Sequence, residues 1–201
     1  MTKAKSPRLA ILISGGGRSL QNLADRIADG RLNASITLVI ASNPKAEAAA
    51  RERNFHIHVP IKRIRSKDHP DTATFSAAIF QACREARADL VVMAGFLSLL
   101  KIAEDFHHRV INIHPSLLPD FGGPGMYGHH VHEAVLNAKA TTSGCTVHIA
   151  DDRYDSGPIL VQKSCPVHPD DTPESLAARV FEQECEALPE GILEAQKRLQ
   201  I

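Results

Sequence analysis

The chain has 201 residues, and its 23 lysines and arginines balance 23 aspartates and glutamates, so the formal net charge is zero. This length suits one domain with a buried core, and no apolar run approaches the roughly 20 residues that span a bilayer. The neutral charge and the shortage of aromatic residues (two Tyr, seven Phe and no Trp) disfavour nucleic-acid binding. We therefore expect no nucleic-acid partner and no membrane contact, and an anionic ligand would be held locally by a loop or a helix end.

The cysteines are scattered and form no CxxC pair: Cys83, Cys145, Cys165 and Cys185. This pattern favours reduced thiols over a disulfide scaffold or a zinc site. No apolar signal-peptide segment follows the basic residues at the N-terminus. We expect a cytoplasmic protein.

Short apolar runs alternate with helical patterns through the first 114 residues. The runs, which predict strands, are 9–13, 36–41, 56–59, 90–94 and 110–114. Between them one helix follows the turn at 14–17 and ends at Gly30, a second covers about 46–53, and a third covers 75–86. Because strands that are apolar on both faces alternate with helices, we expect a parallel sheet covered on each side.

The pattern changes in the last third of the chain. Alternation of apolar and polar residues over 145–149 predicts a strand with one polar face, and 159–162 returns as the second arm of a hairpin. The run 171–174 predicts a helix start, with a cap, an early proline and an acidic residue. We expect this last helix to be interrupted at Pro189.

Asn112 and His114 end the fifth apolar run, directly before Pro115. Side chains two residues apart in a strand share a face, and Pro115 cannot donate to a strand pairing, so the strand ends there. A carboxamide donor beside an imidazole at the end of a buried strand suits catalysis. A strand-end asparagine with a surface histidine is the competing interpretation, and this pair alone does not decide between them.

The segment SGGGRS at 14–19 joins the first strand to the first helix. Its glycines allow close approach of a ligand, and the helix N-terminus offers free N–H groups to an anion. It is neither a Walker P-loop nor a GxGxxG, and Asn43 stands where a dinucleotide site would have an acid. The loop therefore favours the phosphate of a small substrate over NAD, with a plain tight turn as the alternative.

Three further segments carry weaker signals. Apolar residues over 96–100 indicate either a pocket wall for a flat ligand or the first turn of a core helix. Three aspartates crowd the loop 151–155, where solvation is the ordinary interpretation, although a carboxylate against His114 would orient its ring and favour its charged form. The histidines at 129, 130 and 132 lack a cysteine or carboxylate at metal-ligand spacing, which disfavours zinc.

Five segments occur in order across nearly the whole chain: ISGGGRSLQ, MAGF, NIHPSLLP, SGCTVH and DDRYDSGPI. Together they resemble the phosphoribosylglycinamide formyltransferases, which are folate-dependent formyltransferases. The resemblance implies an α/β, Rossmann-like three-layer fold with a mainly parallel sheet of about seven strands and a C-terminal antiparallel hairpin portion. It also implies a single domain over 1–201, with a phosphate-binding half at 1–100 and a catalytic, folate-closing half at 101–201.

The resemblance also implies the substrates and the site. The family transfers a formyl group from the co-substrate 10-formyltetrahydrofolate to glycinamide ribonucleotide in purine synthesis, with no metal, as a monomer or weak homodimer. The residues that match its catalytic group are Asn112, His114 and Asp155. Those that match its ribonucleotide site are Gly17, Arg18, Ser19 and Glu184. Those that match its folate site are Leu97, Ser98, Leu99, Leu100, Asn112, Ala150, Asp151 and Asp152.

The chain departs from the commoner family pattern at four places. Arg18 and Ser19 replace a usual Ser and Asn, Phe181 replaces a basic or polar residue near the phosphate, Ser98 replaces a frequent Arg, and the loop 120–130 is longer. We interpret Arg18 as the source of the phosphate-binding charge that Phe181 lacks, and the longer loop as a flap. Two alternative functions stay open: a formyltetrahydrofolate deformylase, in which water replaces the amine, and a non-catalytic folate- or nucleotide-binding module.

Overall fold

The computed structural model describes residues 6–53 and 59–201. In chain order the strands and helices are β1 (Arg8–Ile13), α1 (Arg18–Ala28), β2 (Ser35–Ala41), α2 (Pro44–Arg53), β3 (Ile61–Arg63), α3 (Thr72–Glu85), β4 (Leu90–Met93), β5 (Val110–His114), α4 (His129–Asn137), β6 (Thr142–Ile149), β7 (Ile159–Pro166) and α5 (Pro173–Leu199). Two short 3-10 turns lie at Ser66–Asp68 and Glu104–Phe106. None of the helices in these two ranges combines the length and apolar character of a membrane span.

The strands form one sheet in the order β3-β2-β1-β4-β5-β6-β7. The first five strands in this order are parallel, and β6 and β7 pair antiparallel at the end of the sheet. One apolar cluster joins the sheet to α1, α2, α4 and α5, and a second joins the opposite face to α3. The predicted three-layer α/β fold, mainly parallel with an antiparallel hairpin portion, is confirmed.

Most predicted elements have counterparts close to their expected positions, but the third strand and the polar face of β6 differ from the expectation. The structure has β3 at Ile61–Arg63, and residues 56–58 of the expected strand lie outside the described residues. The polar face of β6 is present but buried, since Thr146 and His148 are at most 1% exposed. The segment after β5 covers this face: Thr146 Oγ1 accepts from the Leu118 N–H at 3.0 Å and donates to the Ser116 carbonyl at 2.7 Å.

Helix α5 starts as predicted and does not end at Pro189. Thr172 caps it with a capping box, and Pro173 occupies the first turn. The expected interruption is wrong, because the helix continues through Pro189 to Leu199. Proline lacks the N–H that would bond the carbonyl of Cys185, four residues earlier. Asn22 on α1 supplies a donor instead, since its Nδ2 lies 2.9 Å from that carbonyl oxygen.

The sheet topology places a crevice at the carboxyl ends of β1, β4 and β5. The chain moves outward from β1 to β3 and then returns to the other side of β1 as β4, and ligands of open α/β sheets bind at such a reversal. The loop after β1 is tied to its neighbours here. Ser14 Oγ accepts from the Ser42 hydroxyl at 2.8 Å and from the Leu97 N–H at 3.1 Å.

Candidate active site

A cavity of about 760 Å³ opens at this crevice. Its floor is formed by the ends of β4 and β5, and its walls come from the loop 14–19, the segment 93–100, the loop 123–128, the loop 150–155 and one face of α5. The volume falls in the range of small-molecule and cofactor sites. Segments from both halves of the chain therefore meet around one space.

Asn112, His114 and Asp155 come together at the floor of the cavity. His114 Nδ1 lies 3.4 Å from Asp155 Oδ1, and Asn112 Nδ2 lies 3.4 Å from the same oxygen. Both side chains project from the same face of β5, as the two-residue spacing predicts. The side chains of His114 and Asp155 are only 4% and 8% exposed. The structure thus brings together the three residues that the resemblance implied.

Asp155 is held as a carboxylate by its surroundings. Burial acts to raise its pKa, but the hydrogen bond and charge of His114 and the Gly123 N–H act against this, and the pKa lies well below its usual range. The Gly123 N–H also donates to Asp155 Oδ2 at 3.0 Å. The backbone of Asp155 is left-handed, with φ of 53°, a conformation that aspartate tolerates better than most residues. This turn aims the carboxylate at β5.

His114 also contacts the long loop 120–130. Its Nε2 lies 2.9 Å from the Phe121 carbonyl oxygen, so this nitrogen carries a hydrogen that it donates. Ser116 Oγ donates to the Asp120 carbonyl, and the Gly123 N–H reaches Asp155 as described. Two members of the catalytic group therefore anchor the start of the loop.

His148 is a fourth polar residue in this group, which sequence reasoning did not place in the site. It lies opposite Asn112 in the antiparallel pairing of β5 and β6, and its Nε2 lies 3.1 Å from Asn112 Nδ2 and 3.6 Å from Asp155 Oδ1. Its signals in the sequence were the polar alternation over 145–149 and its place at the end of the SGCTVH segment. Placing it beside Asn112, 36 residues away in the sequence, requires the register of two strands, which the pattern alone does not give.

The other end of the cavity carries a cation at a helix N-terminus. Gly17, with φ of 68°, precedes α1, and Gly17, Arg18 and Ser19 all line the cavity. The Arg18 guanidinium carbon lies 4.0 Å from the centre of the Phe181 ring, within the range of a cation–π contact. Phe181 thus supports Arg18 in place, and free N–H groups of α1 lie beside it.

Glu184 lies on the α5 wall of the same cavity. Burial raises its pKa to about 7, although the positive charges of Arg18 and His114 oppose the rise. A carboxyl group with this pKa accepts or donates hydrogen bonds near neutral pH, which suits contact with hydroxyl or amide groups. The four residues expected at the ribonucleotide therefore share one part of the cavity.

The expected folate wall lines the cavity with one exception. Leu97, Ser98, Leu99 and Leu100 form an irregular segment rather than a helix turn, and all four line the cavity with Asn112, Ala150 and Asp151. Leu97 is 48% exposed at the opening. Asp152 is absent from the lining, because its Oδ1 accepts from the Ile102 N–H at 2.8 Å.

The histidines near the start of α4 do not assemble a metal site. Over residues 6–53 and 59–201, no three His, Cys, Asp or Glu side chains are grouped to hold a metal ion. His132 lines the cavity, and burial, with smaller contributions from His129 and His114, lowers its pKa to about 4. Its Nδ1 has no hydrogen-bond partner among the described residues.

Comparison with known proteins gives the family of this chain. Residues 7–192 match the formyl transferase family. This chain belongs to that family. The chloroplastic phosphoribosylglycinamide formyltransferase of Arabidopsis thaliana is 36% identical over 179 residues, which are 88% of this chain and 61% of the relative. The phosphoribosylglycinamide formyltransferase of Haemophilus influenzae is 32% identical over 184 residues, which are 90% of this chain and 84% of the relative.

Solved structures of other proteins share the fold. Glycinamide ribonucleotide transformylase 1 from Symbiobacterium toebii aligns with a TM-score of 0.87 at 31% identity, covering 98% of this chain and 91% of that one. A formyltetrahydrofolate deformylase from Pseudomonas syringae aligns with a TM-score of 0.81, covering 94% of this chain and 61% of that one. Its identity is 23%, so this likeness concerns the fold alone. The chain spans about 60% of the length of the Arabidopsis relative.

Proposed function

We propose that this formyl transferase moves the formyl group of 10-formyltetrahydrofolate to the amine of glycinamide ribonucleotide, a step of purine synthesis. The observation that carries the proposal is the group of Asn112, His114 and Asp155 on the floor of one cavity. A binding module has no need for a buried carboxylate against a histidine and a carboxamide. The names of the Arabidopsis, Haemophilus and Symbiobacterium relatives support the same substrates.

In the proposed reaction the substrate amine attacks the formyl carbon and a tetrahedral oxyanion forms. Asn112 donates an amide hydrogen to this oxygen, since preorganised donors stabilise developing charge most effectively in a site with little water. His114, with Asp155 against its Nδ1, adds positive charge and takes part in moving a proton from the attacking amine to the departing folate nitrogen. Breaking the carbon–nitrogen bond to the folate then completes the transfer, and the chemistry needs no metal.

The ribonucleotide phosphate is proposed to lie at the start of α1. Free N–H groups after Gly17 and the Arg18 guanidinium provide hydrogen bonds and charge for an anion, and Ser19 adds a hydroxyl. Stacking on Phe181 orients Arg18, so the aromatic residue assists binding without contacting the phosphate. Glu184 is proposed to contact the sugar or amide part of the same substrate.

The folate is proposed to lie along the wall of Leu97 to Leu100, with the loop 150–155 above it. This wall is apolar and partly open, which suits a flat aromatic co-substrate with a solvated tail. The phosphate-binding half is then 1–100 and the catalytic, folate-closing half is 101–201. The loop 120–130 is proposed to act as a flap that excludes water during transfer.

An assay with and without the acceptor separates the proposal from its alternatives. The protein is incubated with 10-formyltetrahydrofolate, and release of tetrahydrofolate is followed by absorbance in the presence or absence of glycinamide ribonucleotide. Release only with the ribonucleotide supports the transferase. Release without it would establish a deformylase, and no release in either case would leave a binding module.

A further inference from the structure

His148 touches the catalytic group without having a role in the reaction proposed above. It is 1% exposed on β6, and its imidazole lies against Asn112 and Asp155. A buried histidine at this position has a definite proton arrangement, because each ring nitrogen meets a partner of known character. The neighbours on each side identify that arrangement.

The first neighbour is the backbone of the next residue. His148 Nδ1 lies 3.0 Å from the Ile149 carbonyl oxygen. A carbonyl oxygen only accepts, so Nδ1 carries a hydrogen and donates it. The proton state of the ring then depends on what faces Nε2.

The second neighbour is the carboxamide of Asn112, whose orientation Asp155 determines. The amide nitrogen lies 3.4 Å from Asp155 Oδ1 and 3.1 Å from His148 Nε2. Exchanging the amide nitrogen and oxygen would place an oxygen against the carboxylate oxygen, where both repel. The amide nitrogen of Asn112 therefore faces Asp155 and His148. Since an amide nitrogen only donates, Nε2 of His148 is the acceptor. Asp155 Oδ1 lies 3.6 Å from the same Nε2, beyond hydrogen-bond distance, so the closer Asn112 amide decides the arrangement. The ring is the neutral tautomer with hydrogen on Nδ1.

His114 has the opposite surroundings beside the same carboxylate. Its Nδ1 faces Asp155 Oδ1, and its Nε2 faces the Phe121 carbonyl. Both partners are acceptors, which suits a ring that carries hydrogen on both nitrogens. The two histidines are thus distinguished by their partners, and His148 is the one that offers a lone pair.

We infer that His148 is a positioning residue that acts through Asn112. Its Nε2 lone pair holds one amide hydrogen at 3.1 Å, so the second hydrogen, whose contact with Asp155 at 3.4 Å is long, is the one that turns to the oxyanion. The inference rests on the proposed function and adds to it a role for His148, which ends the SGCTVH segment and lines the cavity. Without His148 the Asn112 carboxamide would rotate, and its hydrogen would no longer point to the oxyanion.

Kinetics of paired variants test this role. His148→Phe keeps a ring but removes the acceptor, and we expect kcat to fall roughly 10- to 100-fold with little change in either KM, as when a group that orients a primary ligand is lost. His148→Gln, whose Oε1 accepts from an amide, should recover part of the loss. In an Asn112→Ala background, His148→Phe should cause no further fall in kcat. An equal loss in both backgrounds would overturn the inference, and the exposed His107→Phe is the control that should match wild type.

A spectroscopic measurement tests the proton arrangement without substrates. Long-range ¹⁵N–¹H correlation spectra of protein labelled at histidine should show a protonated Nδ1 and a bare Nε2 for the ring whose signals vanish in His148→Gln. The Nε2–H tautomer or a doubly protonated ring would overturn the inference. Lack of formyl transfer by the wild type would refute the proposed function instead, so the two failures are distinguishable.

Discussion

Replacing Glu184 by glutamine should stabilise the substrate-free protein at neutral pH, because this carboxyl group is costly to ionise where it lies. Its pKa rises from 4.5 to about 7 on folding, whereas in the unfolded chain it titrates near its ordinary value. Between these pH values the folded state binds more protons than the unfolded state, so stability falls as pH rises from about 4.5 to about 7 and stays reduced above. The shift corresponds to about 3 kcal/mol.

Urea unfolding of wild type and Glu184→Gln at pH 5 and pH 8 measures this effect. Glutamine has nearly the same shape and no charge, so its advantage in the free energy of unfolding should grow by about 2–3 kcal/mol between the two pH values. Glu182→Gln, at an exposed position on the same helix, is the matched control and should show no comparable growth. An advantage of Glu184→Gln that is equal at both pH values would show that folding does not raise the pKa of Glu184.

The remaining predictions concern the reaction and the fold. Asn112→Ala should lower kcat by about two to three orders of magnitude, as loss of an oxyanion donor does, and near-normal turnover would contradict its role. Arg18→Ala should raise the KM for glycinamide ribonucleotide about 10- to 100-fold with little change in kcat; Arg31→Ala, outside the cavity, should change neither, and an unchanged KM for the first variant would refute the phosphate contact. Asn22→Ala should lower the free energy of unfolding by about 1–3 kcal/mol, because it leaves the carbonyl of Cys185 without a hydrogen-bond donor. In a Pro189→Ala background, where the restored N–H can bond this carbonyl, Asn22→Ala should lower the free energy of unfolding by less, as measured by urea unfolding. An equal loss in both backgrounds would show that the carbonyl finds another partner.

The alternation of strands and helices was predictable because most runs are buried on both faces. Residues 9–13 of β1 and all of β4 are continuous apolar segments, and the cap of α5 follows from Thr172 and Pro173. The course of α5 through Pro189 was not predictable, since the compensating donor is Asn22, more than 160 residues away. Local rules describe what proline removes from a helix, but they do not include the tertiary contact that replaces it.

The candidate site was predictable where the chain itself places residues together. Asn112 and His114 share a strand face, and the glycine loop precedes a helix, so each half-site has a local signal. The grouping of Asn112 and His114 with Asp155 came from the family resemblance, and the distances between these residues in the structure support it. His148 ends the SGCTVH segment, but its place beside Asn112 depends on the strand register, which no local pattern gives.

In the proposed reaction the formyl group leaves the folate for an amine rather than for water. Incubation with 10-[¹³C]formyltetrahydrofolate and glycinamide ribonucleotide, followed by ¹³C NMR of the products, observes this step directly. We expect the label in the formamide carbon of formylglycinamide ribonucleotide, with none formed by the Asn112→Ala variant over the same few turnovers. Label recovered as formate, or left on the folate, would contradict transfer to the amine.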